Sequence, residues 1–114
     1  MSGGGATGAG ATAGGYMTGF QPGQMLATGM IGSYVYGPNN ETIGDVNDFV
    51  LDRDGKIAAA VIGVGGFLGV GERNVAVPFA QIRMQERDGR STLTLNATKD
   101  QLQQAPAFDR SRRG

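Results

Sequence analysis

Residues 57–64, IAAAVIGV, form an uninterrupted apolar run in which both alternating sets of side chains are apolar. Ile57, Ala59, Val61 and Gly63 make one set; Ala58, Ala60, Ile62 and Val64 make the other. A strand with one face in water alternates apolar with polar residues, so this run predicts a strand covered on both sides. A buried helix is the competing reading. β-Branched Ile and Val, the short length and the flanking glycines favour the strand. A glycine-rich stretch at 65–71 then leads into a second apolar run at 74–79. The two runs read as neighbouring strands of one small barrel or sandwich, and the remaining elements as what closes a sheet around them.

Ahead of the central run, MIGSYVYG at residues 30–37 predicts a first strand, with Ile31, Ser33 and Val35 on one face and Tyr34 and Tyr36 on the other. GPNNE at 37–41 has the composition of a turn. Residues 42–52 make a second strand whose pattern is mixed: Ile43 shares a face with Phe49 and Leu51, while Val46 and Val50 fall opposite. Such mixing predicts a bulge or sharp coil near Gly44. Asp52-Arg53-Asp54-Gly55 is a hairpin connection. After Phe79, Ile82 and Met84 share one face of a strand, and Arg87-Asp88-Gly89 makes a second hairpin turn. In STLTLN, Leu93 and Leu95 point inward while Thr92, Thr94 and Asn96 point outward. Thr98 and Gln101 then form a capping box, and Pro106 ends a short helix that docks through Leu102 and Phe108. The fold class expected is all-β: about six strands in hairpins with one short C-terminal helix.

At 114 residues the chain holds one domain. Residues 1–24 are Gly, Ala, Thr and Ser with almost no branched apolar residue, and are expected to be a disordered tail. Residues 25–108 form the domain, and 109–114, with Arg110, Arg112 and Arg113, a disordered basic tail. Formal net charge is zero with acids and bases interspersed, so no field favours nucleic acid. The chain has neither cysteine nor histidine, which excludes disulfides, Cys or His nucleophiles and the usual transition-metal ligands. No apolar stretch is long enough to span a bilayer, and the N-terminus lacks the pattern of a signal peptide.

Residues 31–79, IGSYVYGPNNETIGDVNDFVLDRDGKIAAAVIGVGGFLGVGERNVAVPF, followed by TKDQLQQAPAF at 98–108, closely resemble PRC-barrel domain proteins of alphaproteobacteria. The order of these pieces, with GVGGFLGVGE and VAVPF at family-like spacing, carries the resemblance across residues 25–108. It implies a six-stranded, SH3-like barrel used as an adaptor or assembly module without known catalytic residues. Related barrels occur in the photosynthetic reaction centre H subunit and as the C-terminal domain of the ribosome maturation factor RimM. The transmembrane helix of the first and the additional N-terminal domain of the second are not found in this sequence. The resemblance is closest to stand-alone PRC-barrel proteins, in several of which a segment like Gln21-Pro22-Gly23-Gln24-Met25 follows a leader. That implies the periplasm, with a leader missing from this sequence; the cytoplasm is the alternative.

Candidate sites are few. The glycines at 63, 65, 66, 69 and 71 do not match a phosphate-binding loop: counted from Gly63, Leu68 stands where G-x-G-x-x-G needs its third glycine, no Gly-Lys-Ser/Thr follows, and no helix pattern begins after it. Asp52 and Asp54 resemble the start of a calcium loop, but Gly55 is followed by Lys56 and an apolar strand, so they read as turn formers. Tyr34, Tyr36 and Arg83 could interleave as a nucleic-acid platform, against which the neutral charge weighs. Phe67, Leu68 and Val70, large apolar groups among glycines at an expected hairpin tip, either plug the barrel's open end or form a contact patch. Glu72 and Arg73 beside them cap the barrel mouth or join that contact. No catalytic, cofactor or metal residue is assigned. The expected function is a non-enzymatic binding or assembly module acting through a protein partner or self-association; the alternative is a ribosome- or RNA-associated factor of RimM-like kinship.

Overall fold

The computed structural model describes residues 12–65 and 71–111. A two-residue ladder, β1 (Thr12–Ala13) with β2 (Tyr16–Met17), precedes one helical turn, α1 (Ala27–Met30). The main sheet follows: β3 (Tyr34–Tyr36), β4 (Thr42–Leu51), β5 (Ile57–Val64), β6 (Arg73–Pro78), β7 (Ile82–Arg87) and β8 (Arg90–Leu95). A 3-10 turn (Phe79–Gln81) joins β6 to β7, and α2 (Lys99–Gln103) closes the domain. The sheet runs β6-β5-β4-β3-β8-β7 and is antiparallel except at β3–β8. It curls into a half-barrel, the six-stranded all-β architecture expected from the sequence.

The core lies on the concave side. Val35, Ile43, Val46, Ala60, Ile62, Val64, Val75, Leu93 and Leu95 pack together there, joined by Met30 and Leu102. The hairpin turns are those the residues predicted. Gly55 N–H donates to the Asp52 carbonyl at 2.9 Å, and Asp52 N–H to the Lys56 carbonyl at 2.7 Å. At the β7–β8 turn, Asp88 (φ 49°) and Gly89 (φ 79°) both occupy the left-handed region. That is what a two-residue hairpin loop needs to match the twist of its strands.

Three expectations need correction. The first strand does not begin near Ile31. The chain makes α1 instead, and Met30, whose carbonyl accepts from Ser33 Oγ at 2.6 Å, enters the core while Ile31 stays exposed. The face assignment within β4 also changes. Opposite β3 the extra residue is Ile43, next to Gly44 where a bulge was expected; opposite β5 a second extra residue is Asn47. Each bulge resets the alternation, so Ile43 and Val46 both reach the core and Phe49 packs against it. On β8, Thr92 is buried rather than outward, and its hydroxyl lies 3.4 Å from the Gln85 carbonyl.

β5 is covered on both faces over its second half, where Ala60, Val61, Ile62, Gly63 and Val64 are all buried. The concave cover is the core. On the convex face, the segment after α2 runs back over the sheet. Phe108 N–H donates to the Asn74 carbonyl at 2.8 Å, Phe108 shares a shallow cleft with Val61, and Arg110 pairs with Asp48 at 2.7 Å. Leu102 docks α2 in the core, whereas Phe108 serves the opposite face.

α2 is too short to persist alone. Its start is closed by the predicted capping box: Gln101 N–H donates to Thr98 Oγ1 at 3.1 Å, and Thr98 N–H to Gln101 Oε1 at 2.8 Å. Thr98→Ala is therefore expected to cost about 0.5–2 kcal/mol of stability in a denaturant titration. An unchanged midpoint would show that Leu102 holds the helix without its cap.

Candidate functional site

Two surface features stand out, one polar and one apolar. The polar one lies on the convex face, where β4, β5 and β6 meet at Gly63. Asp45 and Asn74 are the cross-strand partners of Gly63, and the Glu72 carboxylate lies over it, filling the space a side chain would take. Asn47 Nδ2 donates to Glu72 Oε1 at 3.0 Å and to Asn74 Oδ1 at 2.7 Å. Glycine at 63 is what lets these long polar groups converge. Partial burial holds Asp45 above the ordinary carboxylate range, helped by the negative charge of Glu72 and by a hydrogen bond between the two carboxyl groups.

The consequence for stability has a definite sign. A carboxyl group whose pKa is raised on folding binds its proton more tightly in the folded state, so stability falls as pH rises through the interval between its unfolded and folded values. Asp45→Asn removes the repulsion. It is expected to melt slightly higher than the wild type at neutral pH, with the difference vanishing in acid once Asp45 is protonated in both states. The gain is small because the site is mostly solvated. A variant less stable at neutral pH would show that Asp45 contributes a contact that outweighs the repulsion.

Glu72, one of the partner-contact residues expected from the sequence, is thus engaged within its own fold. So is Arg73, whose Nη1 donates to the Ala105 carbonyl at 2.9 Å and ties β6 to the segment after α2. Phe67, Leu68 and Val70 lie outside the described residues. Asp52 and Asp54 are turn formers, Asp54 accepting from Lys56 N–H at 3.2 Å. Tyr34 and Tyr36 meet edge to face at 6.4 Å, but Arg83 lines a different cleft with Pro38 and Gln81. Those three residues form no common platform. Among the described residues, no group of three or more His, Cys, Asp or Glu is placed to hold a metal ion, and no helix is long and apolar enough to cross a membrane.

The apolar feature is a groove of about 290 Å³ at the side of the half-barrel where α1, β4, β5 and β7 approach one another. Met25, Met30, Phe49, Phe79 and Leu93 form its floor, with Phe49 and Phe79 edge to face at 6.5 Å. Its rim consists of Ile31, Leu51, Ile57 and Met84, exposed by 40%, 62%, 39% and 44%. The one charged group in the lining, Asp48, is already satisfied: Oδ1 accepts from Phe49 N–H at 2.8 Å and Oδ2 from Arg110. Large apolar side chains grouped around a concavity, with no unpaired charge, are the composition of a protein-contact surface.

A family model for the PRC-barrel domain matches residues 22–102, more than half of the chain. The chain belongs to the PRC-barrel domain family. No match to it is found among curated proteins. PRC-barrel domains are protein-interaction modules and are generally non-catalytic. In this PRC-barrel the groove went unread in the sequence because each rim residue fits an ordinary strand face. One signal was available: Leu51 and Ile57 pair directly across the 52–55 turn, where strand ends leave the sheet and apolar pairs lose their cover.

Proposed function

We propose that this PRC-barrel is a non-enzymatic binding and assembly module that makes its protein contact through the apolar groove. The observation that carries the reading is the grouping of Ile31, Leu51, Ile57 and Met84, all exposed, around a floor that includes Phe49 and Phe79. A soluble domain gains nothing in stability from leaving such groups in water, whereas a partner that covers them gains roughly 25 cal/mol per Å² of apolar surface removed. Membership of an interaction family supports the same reading. The periplasm, implied by the resemblance, is the compartment proposed for it.

The test uses tagged full-length chain as bait in its native extract, beside a Leu51→Arg/Met84→Arg variant, with quantitative mass spectrometry of what is retained. A stoichiometric protein, untagged copies of this chain included, that is held by the wild type and lost by the variant is the expected result. Identical retention by both would remove the groove from the reading.

A further inference from the structure

We infer that the groove is filled by the N-terminal arm of a second copy of this chain, giving a symmetric dimer in which the two arms are exchanged. The inference rests on the binding-module reading and names its partner. Apart from the groove rim, the largest exposed apolar group among the described residues belongs to the arm: Tyr16, Met17 and Phe20 are exposed by 78%, 60% and 58%. They are carried on and just beyond the β1–β2 ladder, which pairs Thr12 with Met17 and Ala13 with Tyr16. The two surfaces also match in charge. No charged residue precedes Glu41 in the sequence, and the groove's one carboxylate is neutralised by Arg110. An uncharged arm can enter such a groove without stranding an ion.

The geometry points to a second copy rather than to the arm's own groove. Between Phe20 and Met25 the chain is folded into a turn, with Gln24 N–H donating to the Gln21 carbonyl at 3.0 Å and Gln21 N–H to Gln24 Oε1 at 2.8 Å. Met25, at the end of that turn, already lines the chain's own groove. Tyr16, Met17 and Phe20 do not line that groove and stay exposed, and folding them back past Met25 would require the turn to open. Exchange between copies needs no such change and makes the contact twice, by symmetry. Aromatic side chains bury roughly 150–250 Å² each. One seated arm therefore removes several hundred Å² on each side, and two reciprocal seats approach the roughly 1,200–2,000 Å² of a stable specific interface. The zero net charge of the chain sets no electrostatic barrier between copies.

The test is sedimentation of the full chain in three forms: wild type, an arm variant (Tyr16→Ser/Met17→Ser/Phe20→Ser) and a groove variant (Leu51→Arg/Met84→Arg), each checked for cooperative melting. The wild type is expected to dimerise with concentration, and each variant to dissociate at least about tenfold more readily. Because the chain has no cysteine, a second measurement does not depend on the groove variant folding. Met17→Cys and Ile57→Cys chains, mixed in equal amounts and oxidised, should form the mixed disulfide well beyond its statistical share of half the product. A wild type that stays monomeric, or a mixed disulfide that makes up no more than its statistical half of the product, would overturn the exchange. Association lost in the groove variant but kept in the arm variant would overturn it too, while leaving the groove as a binding site for another protein. Association untouched by the groove variant would remove both.

Discussion

Leu93→Ala is expected to lower the unfolding free energy by about 2–5 kcal/mol. Leu93 is fully buried, at 0% exposure, and stands opposite Val35 in β3–β8, the one parallel pairing of the sheet. Shortening it removes apolar contacts from both strands at once. The space left cannot be refilled by β3, whose ladder with β4 holds its position. A folded domain of this size has about 5–15 kcal/mol in hand, so the variant loses a large share of it. With about 4–8 °C per kcal/mol for a small domain, the melting temperature should fall by at least about 8 °C. A loss under about 1 kcal/mol would mean that the β3–β8 junction relaxes into the cavity far more freely than a close-packed core does. Leu93 also lies in the groove floor, so this variant is unsuited to testing partner contact.

Gly44→Ala is expected to be as damaging, for the opposite reason. A Cβ at position 44 would land on the carbonyl oxygen of Gly63 in the neighbouring strand. That carbonyl is main chain, held in a strand paired on both sides, and cannot step aside without parting β4 from β5. Overpacking of this kind typically costs about 1–3 kcal/mol and sometimes more; a Cβ landing on paired main chain belongs at the upper end. Gly63→Ala makes the useful comparison. Its Cβ would meet the Glu72 carboxylate, the free end of a flexible side chain that can swing away. What is lost there is chiefly the 3.0 Å hydrogen bond from Asn47, worth about 1 kcal/mol. Denaturant midpoints should therefore rank wild type above Gly63→Ala and Gly63→Ala above Gly44→Ala. The reverse order would show that Glu72, rather than the main-chain approach, is the tighter constraint.

Alternation and turn chemistry are local properties, and what depends on them was legible in the residues. The two-faced apolar pattern of 57–64 identified β5; the Asp-Gly turns at 54–55 and 88–89 identified two hairpins; Leu93 and Leu95 were read as inward and are buried. The T-x-x-Q box placed the N-cap of α2 at Thr98. Each of these is decided within a few residues, by side-chain period, by a dihedral preference or by a hydrogen bond across three positions.

Register and closure belong to the tertiary structure. Whether Ile43 and Val46 share a face depends on extra residues that only β3 and β5 can define, because a bulge exists relative to a partner strand. The pairing of Asp45 with Glu72 joins residues far apart in the chain through the space above Gly63, which no spacing rule encodes. The cover on the convex face of β5 could not be assigned to Phe108 and Arg110 until the chain was seen to return over the sheet. The groove is the clearest case. Leu51, Ile57 and Met84 carry the same inward signature as their buried neighbours, yet the sheet stops curling before it covers them. Periodicity gives the side of a strand on which a residue lies; only closure of the sheet decides whether that side is filled.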